Sequence, residues 1–491
     1  MSPFDVTLVV SIAVLAFYAV NGLRHFDRTQ SFTGFFLNDR NLTHGNVRNT
    51  FTGAAVSIST VLSFFLTLGV LFGWQIFWSP FTLVAGVIVF AHLVYPRLLA
   101  NTALYSALRG EGDRPVESLD GLIYFLYGSR WLARTVAGIS GVGILAILVA
   151  EMMVGVTIYQ EYFLRPEYIV FIIAATLFVY AGLGGMRSVV ETDRWQVWLI
   201  SLSLLAILVL LWVQEGGSSP PPSPGFHDLF SGSTWSPELA MPLALFANMV
   251  VVNLCFLPSS LRVWQVVVGS AKASRFQVGL WQATVLITLV SVAGVLISRV
   301  MLGRLGHRPE LSEILGFLAT SDGWAAYVVY PFFIIALLSA LVSTADSAIL
   351  PLSQALASRT KEGWTPLRNL RNIFVLVALA VGAYFVVTRL FNLGLVQWIL
   401  TVFSVTTCIA PTVVAPLFLK DRLYSSISLV LIGAGAVGGF VVAFVWSVVF
   451  GDDLSVQPWN CVVGFAISLV LTVIGCLASP RKPAVVRGGA A

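Results

Sequence analysis

Apolar residues run along this chain in long blocks, separated by short polar stretches rich in Gly, Pro, Ser and Arg. A helix rises ~1.5 Å per residue, so about twenty apolar residues match the ~30 Å hydrocarbon core of a bilayer. The pattern predicts spans at 5–23, 45–70, 74–98, 132–160, 167–183, 193–213, 239–260, 278–300, 325–357, 371–388, 393–418, 424–449 and 459–478. In lipid only helices and closed barrels satisfy the backbone. Continuous apolar runs, rather than alternating ones, exclude the barrel. The expectation is an all-α polytopic membrane protein with about thirteen transmembrane helices.

Composition agrees with the pattern. Of 491 residues, 57% are hydrophobic and only 10% charged, against roughly 25% charged in a soluble protein. The first block, from Val6 to Leu23, has no basic segment ahead of it, so it reads as a span rather than a cleaved leader. Cys255, Cys408, Cys461 and Cys476 all fall in apolar blocks, which argues against a disulfide framework. The longest internal loop, near 99–131, leaves no room for a soluble catalytic or nucleic-acid-binding domain. Within it and just beyond, RPVESLDGLIYFLYGSRWLAR reads as a short amphipathic helix. No paired histidines, metal-spaced clusters or Ser-His-Asp arrangement lie within the spans, so an enzyme is not expected.

The net charge of +5 says little, but its distribution says more. Lys and Arg favour cytoplasmic loops. With the N-terminus outside and the C-terminus inside, 23 of the 28 basic residues fall on one side of the membrane. Arg262, Lys272 and Arg275 are counted there, as the loop after the seventh span. The segment 216–238 carries no basic residue and reads as an external loop. This places the chain in the plasma (inner) membrane as a multi-pass protein.

Two carboxylates, Glu151 and Asp346, lie well inside spans, and Asp193 lies at the start of the sixth. An intramembrane charge costs at least ~2.5 kcal/mol at the bilayer centre and marks a pathway or site unless neighbouring helices satisfy it. Asp346 belongs to SALVSTADSAIL (339–350). There Ser343 and Thr344, with the Ala340 carbonyl one turn back, offer three oxygens, the ligand type hard cations take. The plainer alternative is that both hydroxyls bond carbonyls of their own helix.

Several stretches carry a family resemblance. GFFLNDRNL (34–42), RPVESLDGLIYFLYGSRWLAR, GLGGMRSVVETDRWQ (182–196), NLCFLPSSLRVWQ (253–265) and SALVSTADSAIL resemble, in order, motifs of the solute:sodium symporter family. They cover roughly residues 30 to 420. The resemblance implies a LeuT-type fold of two five-helix repeats with inverted topology. The expected division of this single transmembrane unit, 1–491, is a leading helix and loop at 1–44, repeats at 45–213 and 239–420, and two C-terminal helices at 424–478. Five is odd, so a second set of five must start from the opposite side of the membrane. In such folds the first helix of each repeat is interrupted near the midplane. GAAVSIST (53–60) and the segment around Pro258 hold those positions.

By the same resemblance, a sodium ion is held by Ala55 and Ile58 on the second span and by Ala340, Ser343 and Thr344 on the ninth. Asp193 helps the ion leave toward the cytoplasm, although a carboxylate at a helix start is also what the helix dipole favours. Substrate sits beside the ion. Ser57, Ser59, Glu151, Asn253 and Gln397 are the polar candidates for it, with Phe256 as an aromatic lid or a plain packing residue. Val61, Leu62, Phe64 and Phe65 stand where sugar carriers place polar groups, which disfavours a sugar; Glu151 would pair the amine of a small zwitterionic or amine-bearing solute, or accept a proton. The expected function is sodium-coupled symport by alternating access, with sodium as the coupling ion and the lipid bilayer and a small molecule as partners. No nucleic acid is expected. The alternatives are a proton-coupled transporter on the same fold, with Glu151 or Asp346 carrying the proton, and a non-transporting solute sensor.

Overall fold

The computed structural model describes residues 2–481 apart from 29, 56–64, 66, 112–114, 161–164, 215–240, 271, 306–310, 321–322, 324, 359–362, 392–394, 420–421 and 452. Among these residues every extended regular element is a helix. Ten helices are long and apolar enough to cross a membrane, and a bent pair would make an eleventh crossing. This is a multi-pass membrane protein.

In chain order the long elements are α1 (Pro3–Arg24), α2 (His44–Ala55), α3 (Gly73–Leu99), α4 (Arg130–Tyr159) and α5 (Tyr168–Gln214). They continue with α6 (Leu243–Ser259), α7 (Leu261–Gly269), α8 (Ala273–Leu305), α9 (Tyr330–Ala357) and α10 (Pro366–Val386). The last four are α11 (Leu395–Thr407), α12 (Ala410–Phe418), α13 (Ser426–Val449) and α14 (Trp459–Leu477). The predicted amphipathic helix shrinks to Leu119–Tyr127, ended by Gly128 at φ 69°. An apolar helix that the pattern does not predict, Leu311–Thr320, precedes α9.

α5 has 47 residues, too many for one crossing. Its backbone breaks at Gly185, with φ 57° and ψ −158°. Tyr180 and Thr192 nevertheless touch through their hydroxyls although twelve residues separate them. Twelve residues of straight helix would hold them ~18 Å apart. The chain therefore folds back on itself at Gly185. Glycine is required there, because φ is positive and a Cβ would lie 2.8 Å from the Phe35 carbonyl oxygen. The pattern predicts a loop over 184–192, between the fifth and sixth spans. Instead the reversal takes one residue and helix resumes at once, so Asp193 lies two turns inside a helix and is buried. Asn21 of α1 steadies the second limb by donating to Ser188 Oγ at 2.9 Å.

α9 runs through the middle of the molecule. Of its most apolar window 83% is buried, against 39% for α13 and for α14. α13 and α14 pack on each other through small residues. A Cβ on Gly439 would sit 2.4 Å from the Gly464 carbonyl oxygen, so the backbones are in direct contact. Their outer faces present Ile427, Val430, Val441 and Val470, which suits lipid.

Candidate functional site

Three helices meet at Ser343. α9 supplies the residue itself, 0% exposed. The second limb of α5 brings Asp193, whose Oδ1 accepts a hydrogen bond from Ser343 Oγ at 2.8 Å. α2 arrives with its last turn. A Cβ on Gly53 would fall 2.6 Å from Ser343 Oγ and 3.2 Å from Asp193 Oδ1. No other residue permits that approach, and Ala55 ends the helix two residues later. Thr344 is buried beside Ser343 and donates to the Ala340 carbonyl at 3.1 Å. Its bond within the helix leaves the hydroxyl lone pairs available. The expected ion ligands Ala340, Ser343 and Thr344 thus share a turn with Asp193 docked on it, and Ala55 is near. Ile58, Ser57 and Ser59 lie outside the described residues. The donors are hydroxyl, carbonyl and carboxylate oxygens, which suit a hard cation.

Asp346 lies one turn from Ser343 on the same face of α9 and is 0% exposed. Neither of its carboxylate oxygens makes a hydrogen bond among the described residues. Glu151 of α4 is also 0% exposed. Side chains fix its level. A Cβ on Gly155 would meet Leu341, and one on Gly141 would meet Leu352, so α4 and α9 run antiparallel. Interpolation between these contacts sets Glu151 level with the turn that holds Ser343 and Asp346. The notable point is that carboxylates far apart in sequence face one buried region.

The break between α6 and α7 is a bend of 46°. Pro258 lacks the N–H that would continue the hydrogen-bond ladder. Ser140 of α4 holds the exposed backbone, donating to the Ser259 carbonyl at 3.0 Å and accepting from Leu261 N at 3.3 Å. Trp264 Nε1 donates to the Pro258 carbonyl at 2.8 Å. The bend carries the next residue, Arg262, inward rather than into the loop that positive-inside counting predicts. Its Nε and Nη2 are shielded from the surface. The guanidinium lies within electrostatic reach of Asp193, Asp346 and Glu151. Sequence reasoning missed this residue. Its signal was the short apolar run 261–269 after a proline, which lies past the predicted end of the seventh span at 260.

The remaining substrate candidates make contacts of their own. Asn253 Nδ2 donates to the Ser79 carbonyl at 3.2 Å and to Thr82 Oγ1 at 2.8 Å, tying α6 to α3. Phe256 stands edge-on to Phe403 at 5.9 Å between ring centres. The Gln397 main-chain carbonyl accepts from Thr401 Oγ1 at 2.8 Å and from Gln457 Nε2 at 3.0 Å. Its neighbour Trp398 donates to the Ala146 carbonyl, five residues from Glu151.

No family model matches the chain, and no curated protein matches it. Solved structures do. A Na+-coupled sialic acid symporter in a substrate-bound outward-open state aligns over 97% of this chain and 99% of its own, with TM-score 0.71 and 13% identity. A manganese transporter of Eremococcus coleocola aligns over 88% of this chain and 94% of its own, with TM-score 0.57 and 14% identity. MhsT, in complex with L-phenylalanine, aligns over 88% of this chain and 97% of its own, with TM-score 0.53 and 13% identity. The fold is therefore that of these membrane transporters, the LeuT-type fold.

Proposed function

We propose that this chain is a sodium-coupled secondary transporter of the solute:sodium symporter type, importing a small organic solute by alternating access. One observation carries the reading: Ser343 and Thr344 lie buried on α9, with Asp193 bonded to Ser343 and Gly53 of α2 docked against both. A cation between α2 and α9 neutralises buried carboxylate and bridges two helices that contact each other there through a glycine. The interrupted second span, the two five-helix repeats and the orientation with the N-terminus outside belong to the same reading. Sodium would take the Ala55, Ile58 and Ala340 carbonyls with the two hydroxyls. Inward sodium movement then supplies the work, ~2.3 kcal/mol per charge per 100 mV. Coupling is reciprocal, so the solute tightens sodium by the factor by which sodium tightens the solute.

Glu151 supports an amine-bearing solute as cargo, because a 0% exposed carboxylate level with the ion turn attracts positive charge. Arg262 lies within its electrostatic reach, and an incoming ammonium would compete for the same charge. A Glu151→Gln protein whose substrate affinity is unchanged removes this assignment.

The deciding experiment compares the melting temperature of the purified protein in sodium and choline chloride at equal ionic strength, beside Ser343→Ala/Thr344→Ala. A ligand at a hundred times its Kd stabilises the folded state by ~2.7 kcal/mol. A sodium-specific rise that the double variant loses supports the reading. No rise in the wild type, with a response to pH instead, selects proton coupling, for which buried Glu151 is the first residue to test.

A further inference from the structure

We propose that Arg262 is the residue that keeps sodium releasable: a tethered cation that holds the Asp193 and Asp346 carboxylates when the ion has left. The proposal rests on the sodium reading above, and it assigns a role to a residue that reading does not use.

Charge and position carry it. Asp193 from α5, Asp346 from α9 and Glu151 from α4 are each 0% exposed. Arg262 from α7 is the cation within electrostatic reach of all three. An arginine cannot shed its proton in a protein, so its charge is permanent. Buried carboxylates left without a counter-charge destabilise the state that holds them. An ion-empty carrier that must return through the membrane therefore needs a charge to stand in for sodium, and Arg262 is placed to supply it.

Its level in the fold adds direction. Leu261 is pinned to Ser140 at 3.3 Å, and neighbouring Gly141 meets Leu352 of α9. The root of Arg262 is thus about six residues, or ~9 Å of helix, beyond Asp346 toward the Ala357 end of α9. That end leads to the basic loop proposed as cytoplasmic. Arg262 stands between the ion turn and the proposed exit. Like charges repel, so a guanidinium near the site also lowers the affinity for sodium and favours its departure.

The test measures melting temperature against sodium concentration for the full-length protein, with choline chloride holding ionic strength constant. Arg262→Gln should tighten sodium, moving the midpoint about tenfold lower. Arg262→Lys keeps the charge and should stay near wild type. Arg262→Gln/Asp346→Asn restores the charge balance and should return toward wild type. A merely structural arginine gives the opposite result, because a damaged site binds sodium more weakly. An unchanged or raised midpoint in Arg262→Gln, with a normal sodium response in the wild type, overturns the proposal. A wild type with no sodium response overturns the sodium reading itself. Should Arg262→Gln not fold alone, Arg262→Gln/Asp346→Asn is compared with Asp346→Asn. The double variant should bind sodium about tenfold more tightly than the single one, and equal midpoints overturn the proposal.

Discussion

α13 against α14 and α2 against α9 are both contacts made through a glycine, yet they do opposite things. At the first, Gly439 and Gly464 bring backbone to backbone and the outer faces meet lipid. One hydroxyl there bonds within its own helix: Ser447 donates to the Ala443 carbonyl at 2.9 Å. At the second, Gly53 brings backbone not to backbone but to Ser343 Oγ and Asp193 Oδ1. The same lack of a Cβ that closes one interface for good exposes oxygen ligands at the other. Close packing stabilises both, but only the second leaves charge for a cation to neutralise. The contrast separates a fixed frame from a place where binding can alter how helices sit.

The strongest way to break this contrast is at Asp193. Asp193→Asn removes the charge that Ser343 faces, and the sodium-specific rise in melting temperature should disappear, a loss of about a hundredfold in affinity or more. A full sodium response in this variant would make the α2–α9 contact as inert as the α13–α14 one. Next is Gly53→Ala, whose methyl would collide with Ser343 at 2.6 Å. Forcing a group into a packed site costs ~1–3 kcal/mol. Here the cost should appear in both stability and sodium midpoint, read from the same titration. Gly439→Ala should lower the melting temperature by a comparable ~1–3 kcal/mol and leave the sodium midpoint where it was. A shifted midpoint there would show that the C-terminal pair takes part in ion binding. The smallest effect is expected at Tyr127→Phe, which removes the 2.8 Å bond to the Thr412 carbonyl. It should cost ~0.5–1.5 kcal/mol of stability by thermal melting, with no change in sodium response.

Much of this protein was legible in its sequence because hydrophobic thickness is a local property. Apolar blocks of span length need no knowledge of their neighbours, and they identify a helical multi-pass chain. A Ser-Thr pair and a carboxylate inside such a block announce themselves in the same way, since polarity there needs a reason. Pro258 likewise marks the bend that separates α6 from α7. Tertiary structure alone decided the rest. Gly53 and Gly185 look like ordinary glycines until a serine hydroxyl lies 2.6 Å from one and the chain reverses at the other. Asp193 reads as a helix-start charge until that reversal buries it against Ser343 at 2.8 Å. Arg262 reads as one more basic residue in a loop until the bend leaves it within electrostatic reach of three acids from three other helices. Hydropathy is summed along the chain and can be read there. Electrostatic partnership depends on distance in space, and only the packing of helices sets that.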